Sequence, residues 1–144
     1  MENFTPPTRH SAGILDELGL TSRPDGLIGV VKAGLRIGVF DALAGALEVS
    51  EAALAGVTGI SATTLARRKR SGHFTPAESE HVLRVATLLD QARGVFGGSG
   101  DAAAWLKTPN PSLGGATPLA YADTEVGARE VENLLGRIDY GVYS

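Results

Sequence analysis

The sequence predicts an all-α protein, with a helix-turn-helix domain followed by a small helical domain. Three observations carry this. Apolar residues recur at three- and four-residue spacing in most segments. Ser50, Ser61, Thr75 and Thr124 each stand where a hydroxyl caps a helix. Residues 51–65 carry the residue types of two short helices meeting at a tight turn.

Residues 1–24 hold Pro6, Pro7 and Pro24 among polar side chains and read as a flexible arm; Ile14, Leu15, Leu18 and Leu20 suffice for one helical turn. Asp25 can cap a helix over 26–34, with Leu27, Val30, Val31 and Leu35 at helical spacing. The β-branched pair leaves a strand open there, but no partner strand is evident. A helix over 39–47 places Phe40, Leu43, Ala44 and Leu47 on one face. Ser50 caps a helix from 51 to about 56, 57–60 turns, and Ser61 caps a helix to about 70.

Thr75-Pro76-Ala77-Glu78 is a capping box with Pro at the first helical position, opening a helix to Phe96. Its stripe is Val82, Val85, Ala86, Leu89, Ala92 and Phe96. Leu83, Leu88 and Val95 widen the stripe, so this helix is expected to be buried on more than one side. Gly97-Gly98-Ser99-Gly100 marks a boundary. Beyond it lie a short helix over 102–107 with Trp105, an irregular stretch over 108–115, a short helix from Thr117-Pro118 through Ala122, and a last helix from Thr124 to about Leu135. Val126, Val131, Leu134 and Leu135 are expected inward, and 137–144 is a tail carrying Tyr140 and Tyr143. The chain thus divides into an arm (1–24), a helix-turn-helix domain (25–96) and a C-terminal domain with its tail (97–144).

A helix-turn-helix needs a small residue where its helices cross, a glycine in the turn, and apolar residues that plug the corner and anchor the second helix. Counted from Glu51 as the first position, Ala55, Gly59, Ile60 and Leu65 occupy the fifth, ninth, tenth and fifteenth places. The second helix would lie in the DNA major groove, with Ser61, Ala62, Thr63, Thr64 and Arg67 toward base edges. Arg68, Lys69 and Arg70 would meet phosphates, with salt-dependent affinity. The plainer alternative is an ordinary pair of core helices whose basic end is solvated and favoured by the helix dipole.

Composition narrows the function classes. The formal charge of −3 argues against a general polyanion binder. Residues 97–144 hold three basic side chains (Lys107, Arg129, Arg137) against six acidic ones (Asp101, Asp123, Glu125, Glu130, Glu132, Asp139), while 1–96 balance at ten each. There is no Cys, which removes disulfides and thiolate metal sites and fits a reducing cytoplasm. No signal peptide or membrane span is expected. His10, His73 and His81 lack metal-ligand spacing, and neither a phosphate-binding loop nor a nucleophile motif is present, so no cofactor and no enzymatic activity are expected.

The second half carries the most specific text: Val95-Phe96-Gly97, Ala103-Ala104-Trp105-Leu106, Thr108-Pro109-Asn110-Pro111-Ser112-Leu113-Gly114-Gly115, Thr117-Pro118-Leu119, Gly127-Ala128-Arg129-Glu130-Val131-Glu132, Leu135-Gly136-Arg137-Ile138 and Tyr140-Gly141-Val142. In this order and spacing they resemble the toxin-binding domain of the Xre/MbcA/ParS antitoxins, and with the upstream helix-turn-helix the resemblance covers about residues 33–144. It implies the antitoxin of a type II toxin–antitoxin system. The implied partners are a RES-domain toxin that degrades NAD and an operator at which the antitoxin represses its own operon. The implied assemblies are a homodimer and a toxin–antitoxin hetero-oligomer. It also implies that the C-terminal end occludes the toxin cleft, which falls here on Arg137, Ile138, Tyr140, Val142, Tyr143 and Ser144. Tyr140 and Tyr143 packing back on their own domain is the alternative. A stand-alone repressor whose second half serves dimerisation or ligand binding is the alternative function. Trp105 is expected to anchor the core, and the Pro and Gly residues around it to fix turns.

Overall fold

The computed structural model describes residues 14–20 and 24–141. It consists of helices α1 (Ile14–Glu17), α2 (Pro24–Ala33), α3 (Ile37–Leu47), α4 (Glu51–Thr58), α5 (Ala62–Ser71), α6 (Pro76–Phe96), α7 (Ser99–Leu106), α8 (Pro118–Tyr121) and α9 (Glu125–Asp139), with one 3-10 turn at Pro111–Leu113. Among the described residues there is no β-strand, and one isolated bridge joins Arg36 to His73. The all-α expectation holds.

The organising element is α6. Its capping box forms as the sequence predicts: Thr75 Oγ1 accepts from Glu78 N at 3.2 Å and Glu78 Oε1 accepts from Thr75 N at 3.0 Å. Val82, Val85, Ala86, Leu88, Leu89 and Ala92 are buried on more than one side of the helix. Helices α1, α2, α3, α4, α7 and α9 all pack against it. The buried apolar residues from Ile14 to Leu135 form one continuous core, so the sequences on either side of Gly97 share it.

Three hydrogen bonds and a ring pair seal this core. The hydroxyl of Ser79, fully buried on α6, accepts from Leu35 N at 2.8 Å. Phe74 N donates to Leu35 O and Ile37 N to Gly72 O, both at 2.9 Å, which ties the α2–α3 link to the α5–α6 link. Phe40 and Phe74 meet in a tilted ring pair at 5.6 Å.

Several boundaries and directions differ from the sequence reading. Within the segment read as a flexible arm, residues 14–20 are docked: Ile14, Leu15 and Leu20 are buried, and Asp90 Oδ1 accepts from Ile14 N at 3.0 Å. The other residues of the arm before Pro24 lie outside the described residues. The stretch over 108–115 contains the 3-10 turn, capped by Asn110 Oδ1 on Ser112 N at 2.9 Å, with Leu113 buried beneath it.

Helix α9 runs on to Asp139 because Ile138 continues its inward stripe of Ala128, Val131, Leu134 and Leu135. Val126 is not inward but 75% exposed. Five residues before Val131, it lies about 140° around the helix from that stripe. Trp105 is half-buried and meets Phe96 in a tilted ring pair at 5.4 Å.

Close approach fixes the entry to α9. A side chain at Gly127 would collide with the carbonyl of Tyr121, so α8 and α9 can meet there only through glycine. Ser79 offers the sharper stability test. Ser79→Ala leaves the Leu35 amide buried without a partner and should destabilise the protein by about 1–3 kcal/mol. Urea denaturation of the two proteins measures this; equal midpoints would mean another acceptor takes the amide.

Candidate functional site

The first site is built on α4 and α5. Ser50 Oγ accepts from Ala53 N at 3.1 Å and starts α4. Gly59 ends it at φ 72°, a left-handed conformation that a side chain would strain. The chain then closes with Ile60 N on Ala55 O at 2.9 Å. Ala55, Ile60 and Leu65 are buried in the corner, as the spacing predicts, and Leu54 is buried beside them. Thr58, also buried, donates its hydroxyl to Leu54 O at 2.9 Å.

Helix α5 begins at a local cap. Thr64 N donates to Ser61 Oγ at 3.1 Å, and Ser61 Oγ donates to Thr64 Oγ1 at 3.0 Å. The Ser61 hydroxyl thereby both accepts and donates at the helix start, and Thr64 Oγ1 accepts its proton. Leu65 faces the core, and Ala62, Thr63, Ala66, Arg67 and Arg70 form the exposed face.

The basic run of α5 separates into two kinds of residue. Arg68 is bound to Glu78 in bidentate fashion, Nε to Oε1 at 2.7 Å and Nη2 to Oε2 at 2.9 Å, with both side chains largely buried. Lys69 Nζ meets Glu51 Oε1 at 2.6 Å, which ties α5 to the start of α4. Arg67 and Arg70 make no hydrogen bond or ion pair with the described residues and point outward. Sequence reasoning grouped all four as nucleic-acid contacts. The partners of Arg68 and Lys69 lie ten and eighteen residues away, beyond the reach of any local pattern.

These pairs move the carboxylates. The Arg68 guanidinium holds the Glu78 carboxyl at about 2, well below its ordinary 4.5, and the Thr75 amide adds to the effect against partial burial. Glu51 is also lowered, by hydrogen bonding with Asp41 and Lys69, while Asp41 is raised by its contact with Glu51.

The second site is the outer surface of α8 and α9. Of the tail residues singled out from the sequence, Arg137 is exposed, Ile138 packs against the core, and Tyr140 is 84% exposed. Tyr140 therefore does not fold back on its own domain. Val142, Tyr143 and Ser144 lie outside the described residues. The sequence reading missed two exposed apolar side chains here, Val126 and Tyr121. Val126 could have been found from its phase against Val131 and Leu135; Tyr121 carried no such signal.

No group of three or more potential metal ligands occurs among the described residues, and no helix there is long and apolar enough to cross a membrane.

Comparison with known proteins bears on both surfaces. Residues 26–86 match the antitoxin Xre-like helix-turn-helix domain, and residues 91–141 match the antitoxin Xre/MbcA/ParS C-terminal toxin-binding domain. The chain is 38% identical over 143 residues to an Antitoxin Xre of Yersinia enterocolitica, spanning 97% of this chain and 96% of that protein. It is 34% identical over 117 residues to an Antitoxin Xre of Photorhabdus laumondii, spanning 80% and 79% of the two chains. A Prs ADP-ribosylating antitoxin of a Sphingobium species is 26% identical over 127 residues, 81% of this chain and 80% of that protein.

The Arg68–Glu78 pair makes the stability of the first site acid-sensitive. Because the folded pKa of Glu78 lies below its ordinary value, the pair's contribution is complete above about pH 4.5 and declines as the pH falls toward about 2. Glu78→Gln keeps a capping side chain without the charge. Thermal melts across that interval should show the wild type losing more stability than Glu78→Gln; parallel curves would mean the pair contributes nothing there.

Proposed function

Starting from the fact that this chain belongs to the Xre/MbcA/ParS antitoxin family, we propose that it neutralises a RES-domain toxin that degrades NAD and represses its own operon. The observation that carries this reading is the order of the two antitoxin regions, 26–86 then 91–141, built here on one packed core. The C-terminal half docks on the toxin, and the segment from Arg137 through Tyr140 to Ser144 occludes its cleft. An exposed tyrosine on a short stem gives large contact area at low entropic cost. Steric exclusion suffices for inhibition, so the antitoxin itself needs no catalytic group or cofactor.

The front half positions a homodimer, alone or within a toxin–antitoxin hetero-oligomer, on a palindromic operator. On α5, Ala62, Thr63 and Arg67 face base edges, and Arg70 meets phosphate. Ser61 and Thr64 set the start of that helix. Arg68 and Lys69 act through their ion pairs, holding α5 against α6 and α4. This reading places the protein in the cytoplasm with both partners.

The toxin chemistry is tested by co-expressing the chain with the neighbouring reading frame and following growth and cellular NAD. Arrest and NAD loss are expected without the antitoxin and rescue of both with it. Deletion of residues 140–144 should weaken the rescue. Rescue of growth with NAD unchanged throughout would keep the antitoxin and discard an NAD-degrading partner; a harmless neighbour would discard the toxin–antitoxin reading.

The DNA surface has its own test. Arg67→Ala should weaken binding to the upstream promoter DNA by about tenfold and leave the melting temperature unchanged. Arg68→Ala should lower the melting temperature as well. An unchanged affinity for Arg67→Ala, measured by fluorescence anisotropy, would remove α5 from operator recognition.

A further inference from the structure

We propose that the toxin docks along the whole outward ridge of α9, from Val126 with its neighbour Tyr121 at one end to Tyr140 at the other. This rests on the antitoxin reading and extends it from the tail to a second anchor point. Val126, Glu130, Asn133, Arg137 and Tyr140 stand four, three, four and three residues apart, and all are exposed. They form one line along the helix, opposite the buried stripe. Fourteen residues separate its ends, about 21 Å at the helical rise.

Large exposed apolar side chains are few among the described residues: Ile28, Tyr121, Val126 and Tyr140. Three of these four fall on this ridge or at its foot. Val126 is 75% and Tyr140 84% exposed, so neither serves the protein's own core. Beside Val126 lies a shallow recess of about 340 Å³, lined by Ala116, Ala120, Tyr121, Thr124, Val126 and Glu130. Apolar anchors set in a recess, with polar groups between them, are what a protein partner grips most strongly.

Charge specifies the occupant. Asp123, Glu125 and Glu130 surround the Val126 end and are exposed, and Arg129, 3.7 Å from Glu125, offsets one of them. Three of the six acidic side chains of residues 97–144 therefore lie at this end. The partner's face must carry an apolar contact rimmed by Lys or Arg. A second copy of this surface would set acidic side chains against acidic side chains, which disfavours self-association through the ridge. The ridge ends on Arg137 and Tyr140, which belong to the segment assigned to the toxin cleft. A toxin that holds Tyr140 is thus aligned to cover Val126.

The test is isothermal titration of the purified full-length chain and its variants against the purified toxin encoded beside it. Val126→Glu should weaken binding by at least about thirtyfold while leaving the melting temperature unchanged. Tyr121→Ala should act in the same direction. Ile28→Glu, an exposed apolar residue on α2 away from the ridge, should stay within about twofold of the wild type. Binding of Val126→Glu within twofold of the wild type overturns the ridge and leaves the antitoxin reading standing. Equal losses in Val126→Glu and Ile28→Glu overturn it as well. A wild-type chain that fails to bind the toxin overturns both readings.

Discussion

The structure depends on the burial of α6 on more than one side. A surface helix needs one apolar stripe; this one carries enough Val, Leu and Ala to be covered by α1, α2, α3, α4, α7 and α9. At 21 residues it spans about 31 Å, long enough to serve both halves of the chain. Its small residues matter as much as its large ones. Ser79, Ala86 and Ala92 are each fully buried, which lets neighbouring backbones approach closely, and Ser79 turns that approach into a hydrogen bond. With aromatic content at 6%, the core depends on this close fit of aliphatic side chains.

The first turn of α6 also sets how the outward face of α5 is held. Glu78 serves twice there, as the closing half of the capping box and as the bidentate partner of Arg68. One carboxylate thus fixes both where α6 begins and how α5 lies against it. Lys69 does the corresponding work toward α4 through Glu51. What the sequence presents as a run of four positive charges is, in the fold, two cations used for bracing and two directed outward. The outward face is correspondingly modest in charge and rich in small side chains. Such a face favours fitted contact in a groove over broad attraction to any polyanion, in keeping with the overall charge of −3.

Sequence alone made the helices legible where caps and periodicity agreed. Thr75-Pro76-Ala77-Glu78 gave the start of α6, and Ala55, Gly59, Ile60 and Leu65 gave the helix-turn-helix corner, because each depends on neighbours within a turn or two. Four features were not legible, each for a physical reason. Residues 14–20 read as an arm because a four-residue helix has almost no periodicity; it is held by long-range burial and by Asp90. Arg68 and Lys69 read as phosphate contacts, and their ion pairs with Glu78 and Glu51 were not legible because those partners are distant in sequence. Val126 read as core because it is apolar, although its angular position on α9 puts it outside. The end of α9 was misjudged at Gly136, where the packing of Ile138 outweighs the poor helical propensity of one glycine.

The relative placement of the two candidate surfaces follows from how α9 lies on α6. Arg84 reaches Asp123 O and Gln91 reaches Glu132 O, so the two helices run in the same direction. The Val126 end of the ridge consequently lies beside the N-terminal half of α6, the half whose Glu78 braces α5. Tyr140 lies toward the far end. A partner gripping only the tail would sit remote from the helix-turn-helix, whereas one covering the whole ridge extends toward it. Linkage between two ligands requires that one change the free energy of binding the other, and a core packed as tightly as that around α6 offers no obvious second arrangement through which to do so. On the proposed reading, the toxin and the operator would then influence each other chiefly through proximity: the charge the toxin brings toward the DNA, and the number of helix-turn-helix units one complex holds together. On that reading, the geometry of α9 on α6 makes the extent of the toxin's footprint decisive for any coupling to DNA.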